Sequence, residues 1–156
     1  MRSPSSPTCS WNSCPRLGKT LPPDDPQLAR LLAQIGWLLL QQKKWAEAEP
    51  LLRECLTICE KTQPDDWTTF NTQSLLGGAL LGQKKYAEAE PQLLKGYEGL
   101  KQREKSISTG AQIRLPEALD RLIELYTATN KPDELKKWQA ERAKYPAIAP
   151  MPREKK

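Results

Sequence analysis

From Asp25 onward, apolar residues return at steps of three and four. In "DPQLARLLAQIGWLLLQQKK" the residues Leu28, Leu31, Leu32, Ile35, Leu38 and Leu39 fall on one side of a helix. Asp25 caps its start, and Pro26 takes the first helical position. "WAEAEPLLRECLTICEKT" predicts a second helix with Ala48, Leu51, Leu52, Cys55, Leu56 and Cys59 on one face. Pro50 is expected in or near its first turn, where a missing N–H does no harm. "QPDD" then breaks the chain.

The arrangement comes back. "QKKWAEAEP" at 42–50 returns as "QKKYAEAEP" at 83–91, 41 residues later. Asp66 follows Asp25 by the same step, Gly77 follows Gly36, Ala89 follows Ala48 and Pro91 follows Pro50. "DWTTFNTQSLLGGALLGQKK" and "YAEAEPQLLKGYEGLKQREK" are therefore expected to form a second helix pair, and "SISTGAQ" a loop. A third pair is expected in "LPEALDRLIELYTATN" and "KPDELKKWQAERAKY", offset by 46 residues. The doubled phrase reads as a building unit at the turn between antiparallel helices. One pair cannot bury its apolar face alone, so pairs stack and share a core. The fold expected is all-α, a solenoid of about three helix-turn-helix repeats.

These residues resemble the tetratricopeptide repeat family. The family pattern sets an apolar and a small residue in the first helix, an aromatic before the second and an alanine three later. Here the positions are Ile35, Gly36, Trp45 and Ala48, then Leu76, Gly77, Tyr86 and Ala89. The 41-residue period and "AEAEPLL" look like the longer, kinesin-light-chain-type repeat. The third copy departs: Ile123, Pro132 and Leu135 stand at the pattern positions, which suits a terminal cap. The resemblance covers about residues 25–144, within a domain expected at 25–146 with repeats near 25–65, 66–111 and 112–146. Residues 1–24 are read as a disordered N-terminal segment, because five prolines and five serines leave no apolar face. Residues 147–156 are read as a flexible basic tail.

The resemblance implies a right-handed superhelix whose concave groove holds a peptide or a helical segment. Carried over by position, the groove residues are Arg30, Ala33, Trp37 and Gln41, then Asn71, Ser74, Gly78 and Gly82, then Glu117, Asp120 and Glu124. Trp37 is the expected apolar anchor, Asn71 an amide for backbone and Arg30 a carboxylate or phosphate contact. A packing role for Trp37, against residues 1–24 or another repeat, stands beside that reading. Gly78 and Gly82 are expected to leave the wall open and shallow. Similar arrays in bacterial signalling proteins follow a serine/threonine kinase domain or another effector. A docking portion of such a protein is therefore the alternative to a free-standing scaffold. Self-association through repeat ends is a further expectation.

Composition narrows the chemistry. The 156 residues include 24 basic and 19 acidic ones, for a net charge of +5. The signs alternate along the helices, as on solvated faces, so no nucleic-acid partner is expected. Histidine is absent, which removes the commonest general base and the commonest metal ligand. No catalytic residue and no cofactor is expected. Cys9, Cys14, Cys55 and Cys59 lack the close pairing of a zinc site. They read as buried or idle thiols ahead of zinc or a disulfide, in a reduced, cytoplasmic setting. No membrane span is expected. Within each "EAE", Glu47 and Glu49, or Glu88 and Glu90, point apart on a helix and so read as complements of its N-terminal charge rather than as an acid–base pair.

Overall fold

The computed structural model describes residues 22–145. The expectations for the remainder of the N-terminal segment, with Cys9 and Cys14, and for the basic tail fall outside these residues. Six α-helices follow one another: α1 Pro26–Gln41, α2 Trp45–Thr62, α3 Trp67–Gly82, α4 Tyr86–Gln102, α5 Arg114–Ala128 and α6 Pro132–Arg142. They form three successive antiparallel hairpins, and no strand occurs among the described residues. The expected loop after α4 holds two short 3-10 turns, Glu104–Ser106 and Thr109–Ala111. Pro22–Asp24, placed by the sequence in the unstructured segment, form a turn ahead of α1. Asp24 there meets Lys61 of α2 at 3.3 Å.

The caps follow from residue type. The Asp25 carboxylate accepts from Gln27 N–H at 2.7 Å, and Asp66 accepts from Thr68 N–H at 2.8 Å. Each hairpin turn places one residue in the left-handed region: Lys43, Lys84 and Asn130, with φ of 60°, 63° and 54°. The next N–H then reaches back to the helix it leaves. Lys44 donates to Leu39 O at 2.9 Å, Lys85 to Leu80 O at 2.9 Å and Lys131 to Tyr126 O at 3.1 Å. These bonds close a Schellman motif without its customary glycine. The phrase "QKK" is therefore the turn.

Within the first two hairpins, a glycine brings the helices close. A Cβ on Gly36 would lie 2.5 Å from Leu52 Cδ2, and one on Gly77 would lie 2.6 Å from Leu93 Cγ. The alanines of the pattern, Ala48 and Ala89, are wholly buried. Trp45 and Tyr86 pack against the main core, which runs from Leu40 to Trp138. Trp138 is the one buried residue of α6. It stands edge-on to Tyr97 at 5.2 Å and is stacked on Tyr126 at 6.5 Å.

Two expectations need correction. The face α1 turns to its partner is Ala29, Leu32, Gly36 and Leu40. Leu31, Ile35 and Leu38 remain 49%, 36% and 51% exposed, although the sequence reading put them in the packed stripe and Ile35 among the repeat-defining positions. The helix carries apolar residues on two sides, and only one side meets α2. Pro50 and Pro91 also lie beyond the first turn, since α2 begins at Trp45 and α4 at Tyr86. Each removes one helical hydrogen bond. Both prolines are exposed, so the carbonyls left over face solvent.

The second glutamate of each "EAE" ties one hairpin to the next. Glu49 accepts from Gln83 Nε2 at 2.6 Å, Lys85 Nζ at 3.1 Å and Arg53 Nη2 at 2.7 Å. Glu90 accepts from Tyr126 OH at 3.0 Å and Lys131 Nζ at 3.3 Å. Lys85 and Lys131 occupy the same place in their hairpins, the first residue after the left-handed turn. The bonds to Gln83 and Arg53 hold the Glu49 carboxyl at about 2, well below its ordinary 4.5. A carboxylate with a depressed pKa stabilises the fold above pH 4.5, and that contribution fades as pH falls towards 2. Glu141, held down to about 2 chiefly by Lys101, titrates in the same window. The informative quantity is therefore a difference between chains. Glu49→Gln is expected to lower stability at pH 7 by about 1.5–3 kcal/mol, the scale of hydrogen bonds to a charged group. Urea unfolding across pH should show this gap closing between pH 4.5 and 2.

Candidate functional site

A cavity of about 680 Å³ lies between α1 and α3, with the start of α5 at one side. Arg30, Ala33, Gln34 and Trp37 line it from α1, and Asn71, Thr72 and Leu75 from α3. Gln63 and Trp67 close one end, and Arg114 of α5 reaches in from the other side. Arg30, Ala33, Trp37 and Asn71 were expected in a groove by position. The helical period explains their convergence: Arg30, Ala33 and Trp37 climb one face of α1 at steps of three and four.

Two side chains on this wall have hydrogen-bonding capacity that the protein does not use. Trp37 Nε1 and Asn71 Oδ1 are buried, and neither has a hydrogen-bond partner. The Arg114 guanidinium lies over the Trp37 ring, 5.4 Å from its centre, and pairs with Glu117 at 2.9 Å. The face of the indole is thus taken by a cation, while its N–H donor has no acceptor. Arg30 is exposed at the edge. The cavity is therefore lined by an indole and a side-chain amide, each with an unpartnered polar atom, and by two guanidinium groups.

The rest of the expected row does not join it. Ser74 is fully buried, and its hydroxyl accepts from Arg121 Nη1 at 3.1 Å. Arg121 also covers Gly78, where an added Cβ would stand 3.0 Å from Arg121 Cδ. Beyond this arginine, Gln41, Gly78, Gly82 and Glu124 line a separate recess of about 140 Å³. Glu117 is committed to Arg114 and Arg121, and Asp120 pairs with Arg142 of α6 at 2.7 Å. Gly82 does not leave the wall open as expected: the Trp45 ring occupies the space where its side chain would be. Arg114 and Arg121 were missed because at the 46-residue offset they match Thr68 and Leu75, which line the cavity but were not among the expected groove positions.

Cys55 and Cys59 form part of the cavity floor as free thiols. Cys55 Sγ donates to Ala29 O at 3.1 Å and stands 3.5 Å from Thr72 Oγ1. Its hydrogen bond to Cys59 and its burial push the Cys55 thiol up, so it stays protonated. Among the described residues, no three histidine, cysteine or carboxylate side chains gather where a metal would bind. No helix among them is long and apolar enough to cross a membrane.

Filling of the Gly82 position by Trp45 is open to direct test. Gly82→Ala should destabilise the chain by about 1–3 kcal/mol, as overpacking of a filled site does. Gly110→Ala, where nothing lies within 4 Å, is its control and should leave the thermal midpoint almost unmoved.

No curated protein matches the chain. The family model described as tetratricopeptide repeat matches residues 27–102, which hold both complete copies of the doubled phrase. Such repeats mediate interactions between proteins. The hairpins, their period and the match agree, and the chain is a tetratricopeptide repeat protein.

Proposed function

We propose that the chain is an interaction scaffold that holds a peptide or a helical segment of a partner protein in the groove between α1 and α3. It performs no catalysis in this reading. The observation that carries it is the 680 Å³ cavity lined by Trp37 and Asn71, whose Nε1 and Oδ1 find no partner within the protein. A buried polar atom without a partner costs about 1–3 kcal/mol. A peptide backbone has one carbonyl and one N–H to offer such a pair in every residue. Arg30 and Arg114 add positive charge at the edges, which favours segments with carboxylates. The docking portion of a larger bacterial signalling protein, such as a kinase, uses the same groove; its ligand then belongs to the same polypeptide.

Selection from a displayed library of random peptides on the immobilised full chain would supply ligands. Trp37→Phe keeps the ring and removes the donor, and Asn71→Leu removes the acceptor. Each is expected to weaken the selected peptides about tenfold, with the circular dichroism unchanged. Peptides that bind both variants as well as the unaltered chain would place binding elsewhere and overturn the proposal.

A further inference from the structure

The exposed apolar stripe on α1 has two counterparts inside the same chain. Leu31, Ile35 and Leu38 correspond, 41 residues on, to Thr72, Leu76 and Ala79 of α3. A further 46 residues on, they correspond to Ala118, Leu122 and Leu125 of α5. All six counterparts are at most 1% exposed. The preceding hairpin covers them: α3 packs on α2, and α5 on α4. Thr72 shows the contact directly, with its hydroxyl 3.5 Å from Cys55 of α2.

The counterparts also show the polar edge of the contact. In each covered case a glutamate of the preceding hairpin reaches the lysine after the left-handed turn, Glu49 to Lys85 at 3.1 Å and Glu90 to Lys131 at 3.3 Å. Lys44 is the equivalent lysine of the first hairpin. Among the described residues its ion-pair partner is Glu47, one turn away at 3.7 Å.

We propose that this face of α1 is a docking site for an amphipathic helix of another polypeptide. The helix lies across α1 as α2 lies across α3 and directs a glutamate to Lys44. Charge selects that occupant. Residues 1–21 contain no aspartate or glutamate and so supply no such carboxylate, and Asp24 is paired with Lys61. At the other end of the stack, the position of Glu49 and Glu90 is filled by Lys136. A second copy stacked head to tail would set lysine against lysine. The site lies apart from the groove proposed above and stands independently of it.

The probe is a labelled peptide with the α4 sequence, residues 86–102, stapled across positions 91 and 95, both exposed in the chain. Its binding to the full chain is followed by fluorescence anisotropy. Saturable binding is expected, weakened at least tenfold by Leu38→Lys in the chain or by Glu90→Lys in the peptide. Lys44→Glu in the chain should recover affinity for the Glu90→Lys peptide. Absent or substitution-insensitive binding overturns the proposal. So does a dimer of the unaltered chain that Leu38→Lys dissociates, which gives the face to a second copy. Binding that appears only after removal of residues 1–21 gives it to the chain's own segment, with the same consequence.

Discussion

A first helix in this stack has neighbours on both sides, and α3 shows what that demands. Eleven of its sixteen residues are buried, among them Thr69, Asn71, Thr72 and Ser74. A helix so enclosed has little room for long side chains, which accounts for Gly77, Gly78 and Ala79 in sequence. It is also hydrophobic or small nearly all round, as enclosed helices are. Its buried threonines bond back to the chain: Thr69 Oγ1 donates to Gln63 O at 2.6 Å, and Thr72 Oγ1 to Thr68 O at 2.8 Å, while Asn71 Oδ1 is left without a partner. The remaining elements hold α3 in this state. Gly77 lets α4 approach, Trp45 of α2 lies over Gly82, and Arg121 of α5 covers Gly78.

The stack also needs a register, and two short devices set it. The Schellman turn fixes the reversal within a hairpin through Lys43, Lys84 and Asn130. The glutamate bridges from Glu49 and Glu90 align one hairpin with the next. Both devices lie in the doubled phrase or at the lysine it contains. At the third hairpin the pattern stops: Ile123 replaces the close-approach glycine, and Lys136 stands where a bridging carboxylate would be. In α6 only Trp138 is fully buried, Leu135 packs against the core at its edge, and much of the remaining surface is exposed.

Much of this was legible in residue spacing. The helices, the Asp25 and Asp66 caps and the repeat step all follow from local rules that one strand of sequence carries. What escaped depends on contacts between hairpins. Leu31, Ile35 and Leu38 share the three- and four-residue spacing of a buried stripe, and spacing alone does not say which of two apolar sides meets α2. Glu49 read as a helix-dipole residue because its partners Gln83 and Lys85 lie far along the chain. Four of the eleven expected groove residues, Arg30, Ala33, Trp37 and Asn71, line one cavity. Arg121 divides them from Gln41, Gly78, Gly82 and Glu124, which line a separate recess.

The central claim is that stability rises with enclosure, so that α3 is the most protected helix and α1 is bare along one side. Native-state hydrogen exchange of the full chain tests this most directly. Core amides of α3 should exchange only through global unfolding, while those of α1 should exchange at least tenfold faster through local opening. Equal protection of α1 and α3 in the isolated chain would contradict it, because α1 would then be covered on the side where Leu31, Ile35 and Leu38 stand exposed.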